Sequence, residues 1–519
     1  MFNLSIALED KAHRIPNQTA IIFEDKNISY NQFNQLSNKV ANLILDLGIK
    51  RGDSIALQAP NNSFFPIIYY GILKMGGVVV TLSILLKKKE ISYILKDSKA
   101  KLYFFYQGDQ TFDIAKEAIE GAKESSELID CVIIENQQNT NISDISLKKL
   151  SSLMSNTSNK FEYALTNAEE TAVIIYTSGT TGKPKGAKLT HSNLAWNSSV
   201  TVDLFNFNKD DIALTVLPLF HIFGQNCIMN AAIFAGIANV LLERFEADTI
   251  VQLIQKHRVS IFAGVPTMFW SLLNETSAMT KKEISLLKKH WRIALSGGAA
   301  IPIELLNDFE KTYGVKIFEG YGMSEASPLV TYNQPAFERK IGSVGLPIWG
   351  VQVKIVNNQS IEVPNYEVGQ IIFRGHNVMK GYFNNKEATK KSIKKGWMYS
   401  GDLGYIDDDG YLFVVDRLND MIIRGGANVY PREIEEVIIK HPKVSLVAVV
   451  GIPDKRMGEE IKAYVILNQD QKISKSEFKN WIKTKVAANK YPRQIEFVNE
   501  LPLNATGKIL KRKLKFKEH

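Results

Sequence analysis

The chain has 519 residues, of which 45% are hydrophobic and 23% are charged. These proportions are ordinary for a globular protein and exclude a fibrous or wholly disordered chain, and the length accommodates one large domain with one or two small ones. The two cysteines, Cys131 and Cys227, exclude a disulfide framework and a four-cysteine zinc site. They favour a reducing compartment.

The positive charge is concentrated at the C-terminal end. From Gln471 to His519 there are 13 Lys and Arg against 4 Asp and Glu, and the difference, 13 − 4 = +9, equals the formal charge of the whole chain. A basic end of this kind is typical of proteins that bind nucleic acid, acidic lipid headgroups or a polyphosphate ligand, and it is also compatible with a solvated basic face.

The N-terminus does not resemble a secretory signal, because Glu9 and Asp10 lie where such a segment requires an apolar run. The longest apolar stretch, Ala231 to Leu242, has 12 residues. A membrane-spanning helix requires about 20. We therefore expect a cytoplasmic protein whose contact with the inner membrane, if it occurs, is peripheral.

Short apolar runs alternate with helical patterns from the start of the chain. Residues 20–23 and 54–57 predict strands, whereas Tyr30 to Leu47 and Ser63 to Lys74 have helical spacing. This alternation predicts an α/β fold in which helices cover β-sheets. Residues 136–160 are rich in Asn, Ser and Lys and predict a surface excursion with some helix.

A break in the pattern falls near Asp416 to Asp420, after two turn-rich segments. Strand and helix patterns restart beyond it, and the remainder is long enough for a small separate domain. We expect a large N-terminal body with several subdomains, residues 1–418, and a small mobile α+β C-terminal domain, residues 419–519.

The strongest local signal follows a predicted buried strand at Thr171 to Ile175. Glycines there allow backbone N–H groups to converge on an anion, and hydroxyl and ammonium groups add donors. A Walker P-loop is excluded by the spacing of the glycines and by Pro184 at the hydroxyl position. The residues of this predicted polyphosphate loop are Thr177, Ser178, Gly179, Thr180, Thr181, Gly182, Lys183 and Lys185.

Together with four later stretches, this loop resembles the signatures of the AMP-forming acyl-adenylate enzymes. That superfamily contains acyl- and aryl-CoA ligases, adenylation domains of peptide synthetases and beetle luciferases. The resemblance extends over nearly the whole chain, and its overall pattern is similar to that of bacterial medium- and long-chain fatty acid ligases. The four stretches occur in the expected order: Glu319 to Glu325, Tyr399 to Gly404, Asp416 to Pro431, and Pro502 to Lys508.

The resemblance implies an enzyme with two half-reactions. A carboxylate attacks the α-phosphate of ATP to give an acyl adenylate and pyrophosphate, and the sulfur of coenzyme A then displaces AMP to give a thioester. ATP, Mg²⁺ and coenzyme A are therefore expected, and the expected acid is a medium- or long-chain fatty acid. An aromatic acid, or a stand-alone enzyme that loads an acyl carrier protein, are the alternatives. No nucleic-acid partner is expected, and the oligomeric state, including a dimer, is left open.

The resemblance also implies roles for individual residues. Lys508 would bridge the carboxylate and the α-phosphate, Ser324 would donate to that phosphate, and Glu325 with Thr177 would supply hard oxygen ligands for Mg²⁺. The residues expected to contact ATP are Thr177, Ser178, Gly179, Thr180, Thr181, Gly182, Lys185, Gly298, Ala299, Tyr321, Gly322, Met323, Ser324, Asp402, Arg417 and Lys508.

For the other two substrates the resemblance implies smaller sets. His221 and Gly322 would border the acyl group, and the apolar residues 228–242 favour an aliphatic chain, since each buried methylene contributes about 0.8 kcal/mol. Coenzyme A would follow Arg424, Gly425 and Gly426 after the C-terminal domain has rotated about a hinge near Asn419, where relatives commonly have Asp or Lys. The basic C-terminal end would then attract this polyanion.

Overall fold

The computed structural model describes residues 2–109, 113–136, 147–177, 183–276, 279–503 and 509–515. It divides into two compact units. The first comprises Met1–Arg339, Pro347–Gln352 and Arg374–Gly396, and the second comprises Lys340–Leu346, Val353–Phe373 and Trp397–His519. This division follows compactness alone, so the expected domain boundary between residues 418 and 419 stays a prediction.

The first part of the first unit alternates strands and helices. Its elements are α1 (Ile6–Arg14), β1 (Thr19–Phe23), β2 (Lys26–Ser29), α2 (Tyr30–Asp46), β3 (Ser54–Gln58), α3 (Phe64–Lys74), β4 (Val78–Thr81), α4 (Lys88–Ser98), β5 (Leu102–Tyr106), α5 (Ile114–Ala122), β6 (Asp130–Ile134), β7 (Lys148–Lys149), α6 (Leu150–Ser155) and β8 (Thr171–Thr177). The start of α2 is fixed locally, because the Ser29 hydroxyl accepts from Gln32 N and the Gln32 side chain accepts from Ser29 N.

The chain continues with β9 (Lys185–Thr190), α7 (His191–Leu204), β10 (Ile212–Thr215), a π-helix (Phe223–Asn230), α8 (Ala231–Ala235), β11 (Ala238–Leu241), α9 (Ala247–His257), β12 (Ile261–Gly264), α10 (Pro266–Glu275), α11 (Lys281–His290), β13 (Ile293–Ser296), α12 (Ile303–Tyr313), β14 (Ile317–Gly322), a 3₁₀ turn (Ser324–Ala326) and β15 (Leu329–Tyr332). Beyond these, the short β16 (Leu346–Pro347) lies where the two units meet in sequence.

Two sheets organise the first unit. One has the order β19-β9-β8-β4-β3-β5-β6-β7, in which β19 is Gly381–Tyr382, and the other has the order β16-β15-β14-β13-β12-β10-β11-β1-β2. In the second sheet β10, β12, β13 and β14 run parallel, with Phe262 opposite Ala294 and Leu295 opposite Phe318. Parallel strands buried on both faces require helices on each side, and α9 to α12 contribute the buried residues of one such core.

The remaining elements are β17 (Val351–Val356), β18 (Gly369–Gly375), β19 (Gly381–Tyr382), α13 (Lys386–Ser392), β20 (Ile393–Lys394), β21 (Trp397–Ile406), β22 (Leu412–Arg417), β23 (Ile422–Arg424), β24 (Ala427–Val429), α14 (Pro431–Ile438), β25 (Val444–Asp454), β26 (Gly458–Leu467), α15 (Lys475–Lys483), β27 (Gln494–Phe497) and α16 (Lys511–Lys515). Within the second unit, β17, β18, β21 and β22 are neighbours in that order, and a separate sheet has the order β24-β23-β26-β25 with β27 beside β26.

The C-terminal sheet has its own core. Ile434 and Ile438 of α14 and Phe478 and Ile482 of α15 are fully buried against it. Helix α14 begins at Pro431, whose fixed φ and missing N–H suit the first helical position. A sheet with a buried cluster of its own is what a small domain requires, and the sequence analysis expects a small C-terminal domain.

The predicted α/β class is confirmed, with a large body of sheets and helices followed by a small strand-rich C-terminal domain. The predicted strands at 20–23 and 54–57 correspond to β1 and β3, and the predicted helices correspond to α2 and α3. In the predicted surface excursion, residues 137–146 lie outside the described residues, and α6 supplies the helix. Among the described residues, no helix is long and apolar enough to cross a membrane.

Candidate active site

Two glycines directly after β13 lie close to the π-helix and to the start of α10. A Cβ at Gly297 would lie 3.2 Å from the ring of Phe223, and one at Gly298 would lie 3.9 Å from Val265. Ligands of open α/β sheets bind outside the carboxyl ends of the strands. The predicted ATP residues Gly298 and Ala299 therefore lie at the edge of the sheet where a ligand is expected.

The turn after β14 requires a glycine. A Cβ at Gly322 would lie only 2.0 Å from the carbonyl oxygen of Pro328, closer than any real contact. The backbone also closes on itself here, because Met323 N donates to Pro328 O at 3.0 Å. The predicted residues Met323, Ser324 and Glu325 thus begin a tight turn that follows the strand directly.

Glu325 is the buried acceptor at the centre of this site, with 6% of its surface exposed. Its Oε1 accepts from Thr177 Oγ1 at 3.2 Å and from the hydroxyl of Tyr382 at 2.8 Å. Its own carbonyl oxygen accepts from Met379 N at 2.9 Å. The fold therefore brings together Thr177 and Glu325, which are far apart in the sequence, and their role as magnesium ligands stays a prediction.

The polyphosphate loop itself, Ser178, Gly179, Thr180, Thr181 and Gly182, lies outside the described residues. Its two flanks are described, and both are attached to α4. Before the loop, the Tyr176 hydroxyl donates to Asp97 Oδ2 at 2.6 Å; after it, the Tyr93 hydroxyl donates to Pro184 O at 2.9 Å. Burial and the hydrogen bond with Asp97 raise the pKa of Tyr176, so this phenol stays protonated and keeps donating.

Lys185 follows the loop on β9, and its Nζ lies 5.4 Å from the centre of the Tyr382 ring. At this distance a cation is attracted to the face of an aromatic ring. Tyr382 therefore links two predicted site residues: its hydroxyl donates to Glu325 and its ring attracts Lys185.

The side-chain oxygens of Glu325 and Thr177 suit Mg²⁺ as ligands. This ion prefers carboxylate and hydroxyl oxygens, is bound by one or two protein groups and retains water and substrate phosphates as its other ligands. In the part of the chain that the structure describes, no cluster of three or more His, Cys, Asp or Glu forms a metal site. Glu325 and Thr177 thus fit a magnesium ion that is held mainly by ATP.

The predicted acyl residue His221 begins the turn that leads into the π-helix. Its backbone N donates to Pro218 O at 2.9 Å, and its Nδ1 lies 3.3 Å from Phe223 N, which donates to it. Residues 212–242 contain no Asp, Glu, Lys or Arg. An ammonium or second carboxylate of a substrate would find no fixed countercharge on this segment.

A buried network of side-chain amides holds the turn that follows Glu325. Asn226 Nδ2 donates to Ser327 O at 2.8 Å, and Asn226 Oδ1 accepts from Ser198 Oγ at 2.9 Å and from Asn230 Nδ2 at 2.8 Å. Fully paired buried networks of this kind fix one arrangement of the backbone. Sequence reasoning missed Asn226, because an asparagine in an apolar run carries no local signal of its partner.

In the second unit, Asp402 and Arg417 are opposite each other on the antiparallel strands β21 and β22. Arg417 Nε lies 3.3 Å from Asp402 Oδ1, and the Asp402 N–H donates to Ser400 Oγ at 3.0 Å. Asp402 is buried, whereas half of the Arg417 side chain is exposed. The pair therefore offers a fixed carboxylate beside a guanidinium, and the predicted contact of both residues with ATP stays a prediction.

The predicted coenzyme A residues lie on the hairpin of β23 and β24. Gly425 and Gly426 have φ of 58° and 81°, which favours glycine at both positions. Arg424 is buried, and its guanidinium forms two bonds to Glu460, Nε–Oε1 at 2.6 Å and Nη2–Oε2 at 2.9 Å. The fork of Arg424 is thus engaged within the domain, and its role towards coenzyme A stays a prediction.

The basic C-terminal end is not uniformly solvated. Lys511 is about five-sixths buried, and its Nζ lies 2.8 Å from Glu435 Oε1. Arg512 and Lys513 are exposed. Lys508 lies outside the described residues, so its predicted role is not tested by its position.

Tyr382 is a second residue of the candidate site that the sequence did not reveal. It lies on the two-residue strand β19, where Tyr382 is opposite Ala187 of β9. That pairing places its hydroxyl beside Glu325. The only sequence signal was a Gly-Tyr pair in a turn-rich segment, which is too common to single out.

Comparison with known proteins identifies the family to which the chain is similar. Residues 8–383 match the family described as AMP-binding enzyme, and residues 433–508 match the AMP-binding enzyme C-terminal domain. The long-chain-fatty-acid–CoA ligase of Bacillus subtilis is 33% identical over 98% of this chain and 94% of its own length. The 2-succinylbenzoate–CoA ligase of Bacillus pumilus is also 33% identical, over 98% and 96%.

The solved structures include the same architecture. ATP-bound MatB from Rhodopseudomonas palustris superimposes with a TM-score of 0.89 and is 30% identical, with 99% of this chain and 98% of that chain covered. ATP, Mg²⁺ and coenzyme A, which the sequence led us to expect, are the co-substrates and metal used by acyl-CoA ligases of this family.

Proposed function

Since the chain belongs to the AMP-binding enzyme family and is an AMP-forming acid–CoA ligase of that family, we propose that its acid substrate is a medium- or long-chain fatty acid. The acid would be converted to an acyl adenylate with release of pyrophosphate. Coenzyme A would then displace AMP to give the acyl thioester. The observation that carries this proposal is the buried carboxylate of Glu325, which accepts from Thr177 and Tyr382, with Lys185 facing the ring of Tyr382.

In the first half-reaction two anions must approach each other. Glu325 and Thr177 would hold Mg²⁺, which neutralises charge on the phosphates when bound. Lys185 and the loop 178–182 would add donors to the phosphates leaving as pyrophosphate. Catalysis here depends on fixed positive charge and alignment rather than on covalent chemistry by the protein.

The α-phosphate would be contacted by the Ser324 hydroxyl and by the ammonium group of Lys508. Lys508 would also bind the attacking carboxylate, so that the acid oxygen, the phosphorus and the leaving oxygen are in line. Gly322 would border that carboxylate through its backbone, because the turn admits no side chain at this position: a Cβ would lie 2.0 Å from Pro328 O.

For the nucleoside, Asp402 would accept from the ribose hydroxyls and Arg417 would donate to the same sugar. Tyr321 would stack on adenine, and the backbone of Gly298 and Ala299 would border its edge. Tyr321 is largely buried, and Gly298 has a φ of 80°, which favours glycine at this position.

An aliphatic acid is favoured by the walls near the carboxyl ends of β12 and β13. Phe223, Val265 and Met268 supply apolar surface there, and the segment with His221 carries no formal charge. Each methylene buried against such walls contributes about 0.8 kcal/mol, so affinity should rise with chain length until the cavity is filled.

In the second half-reaction the C-terminal domain, residues 419–519, would rotate about a hinge near Asn419. Gly425 and Gly426 would then allow the pantetheine chain to approach the backbone closely, and Arg424 would lie at its phosphates. The exposed cations of the C-terminal end would increase the encounter rate with this polyanion.

An aromatic acid is the second candidate. It is favoured by the 2-succinylbenzoate–CoA ligase, which is as similar to this chain as the fatty acid ligase is. Phe223 would then stack on the aryl ring instead of packing on methylenes. A stand-alone enzyme that loads an acyl carrier protein differs only in its acceptor.

The test is a substrate panel with the purified full chain. Pyrophosphate release is measured with ATP, Mg²⁺ and acids from acetate to stearate plus benzoate and 2-succinylbenzoate, with and without coenzyme A. Turnover that rises with aliphatic chain length and requires coenzyme A supports the proposal. Turnover with aryl acids only, or adenylate that is consumed by a carrier protein and not by coenzyme A, contradicts it.

The role of Lys508 has its own test. Lys508→Ala should abolish adenylation while thioester formation from supplied acyl adenylate and coenzyme A continues. Equal loss of both half-reactions would contradict the assigned role.

A further inference from the structure

The turn that carries Glu325 is held by a segment that is distant in sequence. The N–H of Met379 donates to Glu325 O at 2.9 Å. The carbonyl oxygen of Asn377 accepts from Ser327 Oγ at 2.9 Å, and its side-chain Nδ2 donates to Leu329 O at 2.7 Å. Both sides of the tight turn are therefore fixed by the same segment.

This segment is itself held by one side chain of α7. Asn193 Nδ2 donates to His376 O at 2.6 Å and to Val378 O at 3.1 Å, so a single amide engages two carbonyl groups of the segment. Asn193 is buried, with 6% of its surface exposed. Leaving buried carbonyl groups without a donor is costly, so this amide has a strong influence on where the segment lies.

A single peptide group joins Asn193 to Glu325. The carbonyl oxygen of Val378 accepts from Asn193, and the N–H of the same peptide bond, which belongs to Met379, donates to Glu325 O. Because a peptide group is planar and rigid, fixing its oxygen also fixes the direction of its N–H. The position of the Glu325 backbone thus depends on the Asn193 amide through two hydrogen bonds.

The other half of the Asn193 amide has a local role. Its Oδ1 accepts from Thr190 N at 2.9 Å, while Thr190 Oγ1 accepts from Asn193 N at 3.1 Å, and together these bonds form the capping box of α7. The oxygen of the amide therefore serves the helix, and the nitrogen serves the segment that holds Glu325. The two roles are separable, because a carboxylate keeps the oxygen and lacks the donor.

We propose that Asn193 is a positioning residue for magnesium-dependent adenylation: it fixes the backbone of Glu325 and thereby the carboxylate that would bind Mg²⁺. Asn193 acts through Glu325 and contacts neither the metal nor a substrate in this scheme. The inference rests on the proposed function, because it requires Glu325 to act in the ATP half-reaction. A misplacement of about 1 Å in such a reaction costs about 100-fold in rate.

The test removes the nitrogen and keeps the cap. Asn193→Asp retains an acceptor for Thr190 N, and the helix dipole favours a carboxylate in the first turn, but Val378 O loses its donor. Gln32→Glu is the matched control, because Gln32 occupies the same position in the capping box of α2 and is exposed. Asn377→Leu keeps the approximate shape of a buried side chain and removes its amide donor.

Two measurements do not depend on turnover. Hydrogen exchange of the ligand-free protein reports the N–H of Met379, which should exchange at least about 10-fold faster in Asn193→Asp, while the amides of α7 keep their rates. The rise in melting temperature with MgATP, compared with ATP and a chelator, reports metal-dependent binding. This difference should shrink in Asn193→Asp and Asn377→Leu, and Gln32→Glu should leave both measurements unchanged.

The two half-reactions are then measured separately, adenylation as ATP–pyrophosphate exchange and thioester formation from supplied acyl adenylate and coenzyme A. Asn193→Asp should lower kcat/KM for MgATP by about 10-fold or more, with thioester formation within about 2-fold of the original protein. Asn377→Leu should reproduce this selective loss. The double variant should lose less than the product of the two single losses, because both changes act on the same segment.

An unchanged exchange rate of the Met379 N–H, an equal loss in both half-reactions, or the same loss in Gln32→Glu would overturn the proposal. Thioester formation also reports folding, so if Asn193→Asp does not fold, Asn377→Leu decides the outcome. If Glu325→Gln retains full adenylation, the proposed function of the site fails independently of any result at Asn193.

Discussion

Replacing Tyr382 by Phe removes one hydroxyl from the site and leaves the ring in place. The hydroxyl donates to Glu325 Oε1 at 2.8 Å, and Tyr382 is buried. Phenylalanine keeps the aromatic ring, whose centre lies 5.4 Å from Lys185 Nζ in the native protein. The change therefore isolates the hydrogen bond that orients the proposed magnesium ligand.

The magnitude follows from the charge of the acceptor. A hydrogen bond to a charged group contributes about 1.5–3 kcal/mol, and each 1.4 kcal/mol corresponds to about 10-fold in rate. Tyr382→Phe should therefore lower kcat/KM for MgATP by about 10- to 100-fold. Burial and the Glu325 charge raise the pKa of Tyr382, so the phenol is protonated throughout the assay range and the loss should not depend on pH.

The assay is initial-rate pyrophosphate release at several concentrations of Mg²⁺, with the melting temperature measured in parallel. The loss should shrink as Mg²⁺ is raised, and KM for coenzyme A should stay within about 2-fold, since the removed bond serves only metal and nucleotide. Tyr366→Phe is the matched control, because Tyr366 is 58% exposed and lies in the second unit. A Tyr382→Phe enzyme with unchanged kcat/KM for MgATP would refute the reasoning.

Two further predictions concern the first unit. Gly322→Ala should fold but lose adenylation by at least about 100-fold, because the added methyl carbon would lie 2.0 Å from Pro328 O and would displace the turn. A Gly322→Ala enzyme that keeps more than a tenth of the original rate would contradict this prediction. Burial lowers the pKa of His191 from 6.5 to about 4. Between these pH values the unfolded chain binds a proton at this histidine and the folded chain does not. The free energy of unfolding should therefore fall by about 3 kcal/mol as the pH falls from 6.5 to 4. In the native protein Leu4 N donates to His191 Nδ1 at 3.1 Å, and Asn at position 191 keeps an acceptor for it. His191→Asn should reduce the difference between the free energies of unfolding measured in urea at pH 7 and pH 5. An unchanged difference would assign the loss of stability to other groups.

Features set by local chemistry were predictable from the sequence. The strand before the polyphosphate loop, predicted at Thr171 to Ile175, is β8, and α14 begins at a proline, a residue typical of the first helical position. A buried apolar run, a proline at the first helical position and glycines at tight turns act through neighbours in the chain. The resemblance, which is confirmed, rests on the same local stretches, and it named Thr177, Glu325, Asp402 and Arg417 without any knowledge of their contacts.

Contacts between distant parts of the chain were decided only by folding. Tyr382 is 57 positions from Glu325, and nothing in its own segment indicates that its hydroxyl would reach that carboxylate. Asn226 supports Ser327 across 101 positions in the same way. Such pairs arise because sheet register and helix packing, not neighbouring residues, determine which side chains meet.

Lys511 shows the limit most clearly. Along the sequence it is one cation in the run from Lys508 to Lys517, and its charge predicts a solvated position or a contact with a polyanion. The fold instead buries it beside Glu435, whereas Lys513 two residues later is exposed. Amino-acid composition determined that this end of the protein is basic. The packing of α16 against the C-terminal sheet and α14 determined which cation forms a buried ion pair. Burial depends on the surroundings of a side chain and not on its identity.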